Sequence, residues 1–232
     1  MSLLKNVGTI GGLTMVSRLF GFARDMMLAR VLGAGGVADA WQLAFQLPNI
    51  FRRLFAEGAF ASAFVPLFNR RMKGEGDGED LTEARRFAEE VMAFLIPVLI
   101  VFGALALIAM PWIAGLFANE GIAGDPGLFD LAVLMARIAF PYLAFMSLAT
   151  LFAGILNSLS RFAAAAAAPI LLNVCMVIAL VVGMTLGEGV EARRMTGFYL
   201  SIAVTASGVL QLLWLWWFAH RAGFHMKLRA PR

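Results

Sequence analysis

The chain has 232 residues, of which 61% are hydrophobic and only 15% charged, with a mean hydropathy of +0.81; a soluble domain carries about 25% charged residues. That balance excludes an ordinary soluble globular domain and calls for a bilayer to cover the apolar surface. The net charge of +4 does not indicate nucleic-acid binding, because the basic residues sit in short connections between apolar runs and form no separate arm.

Six segments are long enough to cross the hydrocarbon as helices, which takes roughly 20 mostly apolar residues. The first covers residues 6–32. Its early Lys5 and the later Arg18, Arg24, Asp25 and Arg30 argue against a cleavable signal sequence. It ends at the tight turn Gly33-Ala34-Gly35-Gly36. The second covers residues 38–69, is expected to break at Pro48, and ends in Arg70-Arg71. A solvated polar loop follows from Lys73 to Asp80. The third covers 87–117, with Pro97 and Pro111 inside it, and the fourth covers 128–156. The fifth covers 162–186 and opens with six consecutive alanines, a surface on which another helix can lie closely. The sixth covers 196–219, and residues 221–232 read as a basic tail or the start of a linker. The expected fold is thus an all-α membrane protein with six transmembrane helices.

Charge asymmetry sets the orientation. With the N-terminus inside, the inner connections hold Lys5, Arg70, Arg71, Lys73, Arg85, Arg86, Arg161, Arg221, Lys227, Arg229 and Arg232. The outer ones hold only Arg193 and Arg194. Basic residues accumulate on the cytoplasmic side, so both termini are expected there.

The first two segments place arginines at membrane depth. An Arg at the centre of a membrane helix costs about 2.5–3.5 kcal/mol on insertion scales. Counting about 1.5 Å per residue, Arg18 falls near mid-membrane, Arg24 about 9 Å further out, and Arg52 and Arg53 at depths similar to Arg18. Structural pairing is the competing reading. Asp25 lies seven residues from Arg18, on the same helix face, and Asp39 and Glu57 are available to neutralise others. Arg18, Arg24, Arg30, Arg52 and Arg53 nevertheless outnumber these three carboxylates. Arg30 is near enough to the outer end to snorkel, and one of Arg52 and Arg53 is expected to serve structure. The excess points to a water-filled cavity lined by Arg18, Arg24 and Arg52. The forked guanidinium suits a phosphate or carboxylate. Arg18 and Arg24 point about 120° apart on a straight helix, so sharing a cavity requires a bend, for which Gly21 is the candidate. Arg137 is open to either a cavity or a structural role, and Asn173 is expected to pack or bond between helices.

No catalytic constellation is present. Cys175 is the single cysteine, His220 and His225 match no metal-ligand spacing, and there is no Gly-rich phosphate loop with its Lys. Neither an enzyme nor a cofactor is expected.

The stretch Ser17-Arg18-Leu19-Phe20-Gly21-Phe22-Ala23-Arg24-Asp25 resembles the first helix of the MurJ/MviN lipid II flippases. Ala38-Asp39-Ala40, the run Leu47-Pro48-Asn49-Ile50-Phe51-Arg52-Arg53-Leu54-Phe55-Ala56-Glu57-Gly58-Ala59-Phe60, Ala63-Phe64-Val65-Pro66 and Pro169-Ile170-Leu171-Leu172-Asn173 extend that resemblance along the whole chain. It implies a bacterial inner-membrane transporter that moves the undecaprenyl-diphosphate-linked peptidoglycan precursor, lipid II, from the inner to the outer leaflet by alternating access. It implies that Arg18, Arg24 and Arg52 bind the head group, and that Asp25, Asp39, Arg53 and Glu57 belong to a gating or charge network. Family members resemble two six-helix lobes with, usually, two extra helices. This chain therefore corresponds to the first lobe, and a second lobe, from the same protein or another chain, is the implied partner. Export of another polyprenyl-linked glycan and a non-transporting scaffold for cell-wall enzymes are the alternative readings.

Overall fold

In a computed structural model, residues 3–54, 60–73 and 81–227 are described. Among them there is no strand. The helices are α1 (Leu3–Val31), α2 (Gly36–Arg52), α3 (Ala61–Lys73), α4 (Leu81–Ile108), α5 (Met110–Phe117), α6 (Glu120–Ala123), α7 (Pro126–Ala139), α8 (Tyr142–Ser158), α9 (Phe162–Met184) and α10 (Val190–Arg221).

Four stretches are long and apolar enough to cross a membrane by length and composition: Leu81–Ile108, Pro126–Ser158, Phe162–Met184 and Val190–Arg221. The 29-residue α1 has the length, but Arg18, Arg24, Asp25 and Arg30 interrupt its apolar character. The second predicted segment corresponds to α2 and α3 with residues 55–59 between them, and Glu57 and most of the polar loop lie outside the described residues.

Prolines subdivide the apolar runs, though not always where expected. The break predicted at Pro48 is not there. α2 continues through it to Arg52, because an interior proline removes one N–H donor yet need not end the helix when packing holds both sides. Pro48 and Leu47 are both buried. Beyond Arg52 the backbone of Arg53 and Leu54 widens into a π-type turn.

Pro111 does separate two helices. It sits in the first turn of α5, where its missing N–H matters least. It also leaves the Leu107 carbonyl without its usual donor four residues on, and Arg137 Nε donates to that oxygen at 3.0 Å. Of the two roles open to Arg137, the structural one is therefore present. Arg137→Met is expected to lower stability by about 1–3 kcal/mol through the orphaned carbonyl. In a Pro111→Ala background, which restores a backbone donor, most of that loss should disappear when thermal unfolding is compared across the four variants. At the Phe140-Pro141 break a side chain also reaches a carbonyl of the last turn of α7: Thr205 Oγ1 on α10 donates to Ile138 O at 2.6 Å.

α10 is the central helix and packs against α9, α8, α7 and α2, while α1 docks mainly on α9 and α3 packs on α4 and α8. α10 approaches α8 closely at Gly208, where a Cβ would lie 2.9 Å from Tyr142 Cδ2. Small residues at such crossings let helix backbones approach without a side chain between them. One core cluster gathers Trp41, Leu47, Met135, Phe140, Tyr142 and Leu180. The other gathers Phe64, Phe68, Phe152, Ile155, Leu215 and Phe224. Phe224 shows that the first residues after α10 fold back onto the bundle. Arg85 Nη2 donates to Gly223 O at 3.4 Å, and the Lys227 backbone N–H donates to the buried Glu89 carboxylate at 2.8 Å. The segment expected to be a tail therefore starts as a packed strap.

Candidate functional site

A cavity of about 670 Å³ opens between α1, α2, α8, α9 and α10. Arg52 lines it from the last turn of α2. The Pro48-Asn49 turn explains how Arg52 is held. Asn49 Nδ2 donates to Phe45 O at 2.9 Å, one turn back, and Asn49 Oδ1 accepts from Arg52 Nε at 3.4 Å. Asn49 is thus a positioning residue for Arg52, and the sequence reading gave it no role. Around the cavity, Thr14, Thr150, Asn157 and Gln211 supply uncharged polar groups on otherwise apolar walls.

Arg24 is not among the residues lining that cavity. It sits in the seam between α1 and α9, with 19% of its side chain exposed. Its Nε and Nη2 both donate to Asp25 Oδ1, at 2.9 and 2.8 Å, and its Nη1 donates to Asn173 Oδ1 at 2.9 Å. Asn173 in turn donates from Nδ2 to Ser17 O at 3.1 Å. Asp25 therefore pairs with its neighbour Arg24 rather than with Arg18, which the seven-residue spacing had suggested. Asn173 is the interhelical bonding residue that its place in α9 allowed. α1 runs unbroken through Gly21, which faces Asn173.

Arg18 is exposed on α1 and has no hydrogen-bond or ion-pair partner among the described residues. It lies beside an apolar stripe of Met15, Leu19, Phe22 and Met26, each 60–65% exposed. Arg53 is exposed just past α2, and Asp39 is exposed in the first turn of α2, where a negative charge complements the helix dipole. Arg30 lines a separate cavity of about 390 Å³ at the α9–α10 turn, together with Glu188 and Arg193. The three arginines expected to share a cavity thus occupy three different places: Arg52 in the cavity, Arg24 in a seam, Arg18 on an open face. Among the described residues no group of His, Cys, Asp and Glu is arranged to hold a metal ion.

Apolar helices of membrane-spanning length, with a cavity between helices whose largely apolar wall carries an arginine, define an integral membrane protein. A family model described as lipid II flippase MurJ matches residues 28–232, and the chain belongs to that family. A probable lipid II flippase MurJ of Rhizobium meliloti (strain 1021) is 47% identical over the whole chain, which spans 42% of that relative. The lipid II flippase MurJ of Burkholderia cenocepacia is 41% identical over 92% of the chain and 39% of its own length. Among solved structures, a lipid II flippase MurJ in an inward closed conformation superposes with a TM-score of 0.72 at 22% identity. It covers 95% of this chain and 43% of the solved one, a likeness of fold. The chain thus spans less than half the length of these relatives.

Proposed function

We propose that this chain forms the N-terminal lobe of a lipid II flippase in the bacterial inner membrane. With a second lobe it moves the undecaprenyl-diphosphate-linked peptidoglycan precursor from the inner to the outer leaflet by alternating access. The observation that carries this reading is Arg52, held by Asn49 at the wall of a cavity of about 670 Å³, in a chain of this family. In this reading the chain crosses the membrane six times with both termini cytoplasmic, α2 and α3 together making the second span. Arg18 and Arg24 join Arg52 when the lobes rearrange. Asp25, Asp39, Arg53 and Glu57 form the charge network around them. The Met15-Leu19-Phe22-Met26 stripe beside Arg18 supports a second lobe against α1, since its 4-3-4 spacing is that of a helix-packing seam.

The test is reconstitution of the intact two-lobe transporter in vesicles containing lipid II, with exposure of the head group followed over time. Protein-dependent transfer of lipid II across the bilayer is expected. Transfer of other polyprenyl-diphosphate glycans but not lipid II, or no transfer by a folded protein that still recruits cell-wall enzymes, would overturn the assignment.

A further inference from the structure

Gln211 is a polar residue without an obvious purpose in the packing of α10. It is 1% exposed, it lines the cavity that holds Arg52, and its Nε2 has no acceptor among the described residues. It stands ten residues before the end of α10 at Arg221, or about 15 Å, near the middle of a hydrocarbon layer about 30 Å thick. A buried amide donor at that depth is unfavourable until an acceptor reaches it.

The neighbouring walls add a pattern of their own. Thr14 Oγ1 donates to Ile10 O and Thr150 Oγ1 donates to Met146 O, both at 2.8 Å. With their hydrogens directed to their own helices, these two hydroxyls keep only lone pairs for anything in the cavity. The lining therefore presents a charged fork at Arg52, an amide donor at Gln211 and hydroxyl acceptors at Thr14 and Thr150. An inorganic anion or a bare diphosphate offers only acceptors, so it leaves the hydroxyl lone pairs of Thr14 and Thr150 without a partner. A ligand with an anionic group joined to uncharged groups that both accept and donate hydrogen bonds uses all of them, and a sugar carries such groups.

Resting on the flippase reading above, we propose that Gln211, supported by Thr14 and Thr150, forms an uncharged subsite that accepts the sugar next to the diphosphate. Its amide N–H donates to a sugar hydroxyl or acetamido oxygen. The cavity would then discriminate between a glycan-bearing polyprenyl diphosphate and the sugar-free lipid, whereas Arg52 holds the feature both share.

The experiment uses the intact transporter in detergent and measures its affinity for lipid II and for undecaprenyl diphosphate, in wild type, Gln211→Leu, Gln211→Asn and Arg52→Ala. Gln211→Leu is expected to lower affinity for lipid II about tenfold and to leave that for undecaprenyl diphosphate within about twofold, a tenfold change being one lost net hydrogen bond. Gln211→Asn should recover part of the difference, and Arg52→Ala should weaken both lipids together. Thermal unfolding of Gln211→Leu should be unchanged or raised, because a buried donor without an acceptor has been removed. An unchanged ratio of the two affinities in Gln211→Leu, or an equal fall in both, overturns the subsite while leaving the flippase reading intact. Wild-type protein that binds neither lipid overturns both.

Discussion

Arg52→Ala in the intact transporter is expected to weaken binding of a diphosphate lipid by about 10- to 100-fold and to remove its support of cell-wall synthesis. Charge-assisted hydrogen bonds contribute about 1.5–3 kcal/mol, and each 1.4 kcal/mol is a factor of ten in affinity. Among the described residues Arg52 is the charged residue lining the large cavity, so in this arrangement no second cation lines it to take over the role. Arg52→Lys should recover only part of the loss: lysine keeps the charge but not the planar fork that grips two phosphate oxygens. Asn49→Ala supplies the finer test. It removes both the bond to Phe45 O and the contact with Arg52 Nε while leaving the charge in place, so it should weaken binding by less than Arg52→Ala. If Arg52→Ala binds lipid II as wild type does and differs only in melting temperature, the arginine serves the fold and the cavity is not the substrate path.

The split between what the sequence reveals and what it hides has physical causes. The runs that become α9 and α10 are legible because their apolar length has no soluble explanation. The charged residues of α1 and α2 stand out because arginine at membrane depth is costly. Pro111 and Pro141 mark real divisions, whereas Pro48 does not. Local sequence does not separate these cases, because what differs is the packing on either side and the donors that reach the carbonyls at the break. Arg137 reaches Leu107 O from 30 residues away and Thr205 reaches Ile138 O from 67 residues away, distances along the chain that no local pattern encodes. The same holds at the site. Spacing suggested that Asp25 belongs with Arg18, yet Arg24 has Asn173 beneath it, 149 residues on, and that anchor holds the guanidinium beside Asp25. A lone glutamine in an apolar helix ordinarily bonds to a neighbour, so nothing in the sequence marks Gln211 out. Only the three-dimensional arrangement shows that its Nε2 has no acceptor among the described residues.

Arg24 is the residue whose two possible roles the variants can separate. As a seam residue, it ties α1 to α9 through Asn173. As an anion binder, it must free the edge formed by Nε and Nη2, which Asp25 occupies. The ion pair is adjacent in sequence and Asp25 is 64% exposed, and exposed pairs contribute only about 0–1 kcal/mol. Asp25 is therefore a weak competitor that a diphosphate displaces at modest cost. Asp25→Asn should raise affinity for a diphosphate lipid by up to about fivefold, the equivalent of about 1 kcal/mol, while slowing turnover because release then lacks its competing carboxylate. Arg24→Met should lower affinity about tenfold or more and also destabilise the lobe. Asn173→Leu should reproduce the destabilisation but not the full loss of binding. In a double-mutant cycle on thermal stability, Arg24→Met and Asn173→Leu should show a coupling of about 0.5–3 kcal/mol, as residues in direct contact do. Were Asp25→Asn to leave affinity unaltered and Arg24→Met to change melting temperature alone, Arg24 would be a bolt between two helices. The anion path would then run through Arg52, with Arg18 brought in from the open face of α1.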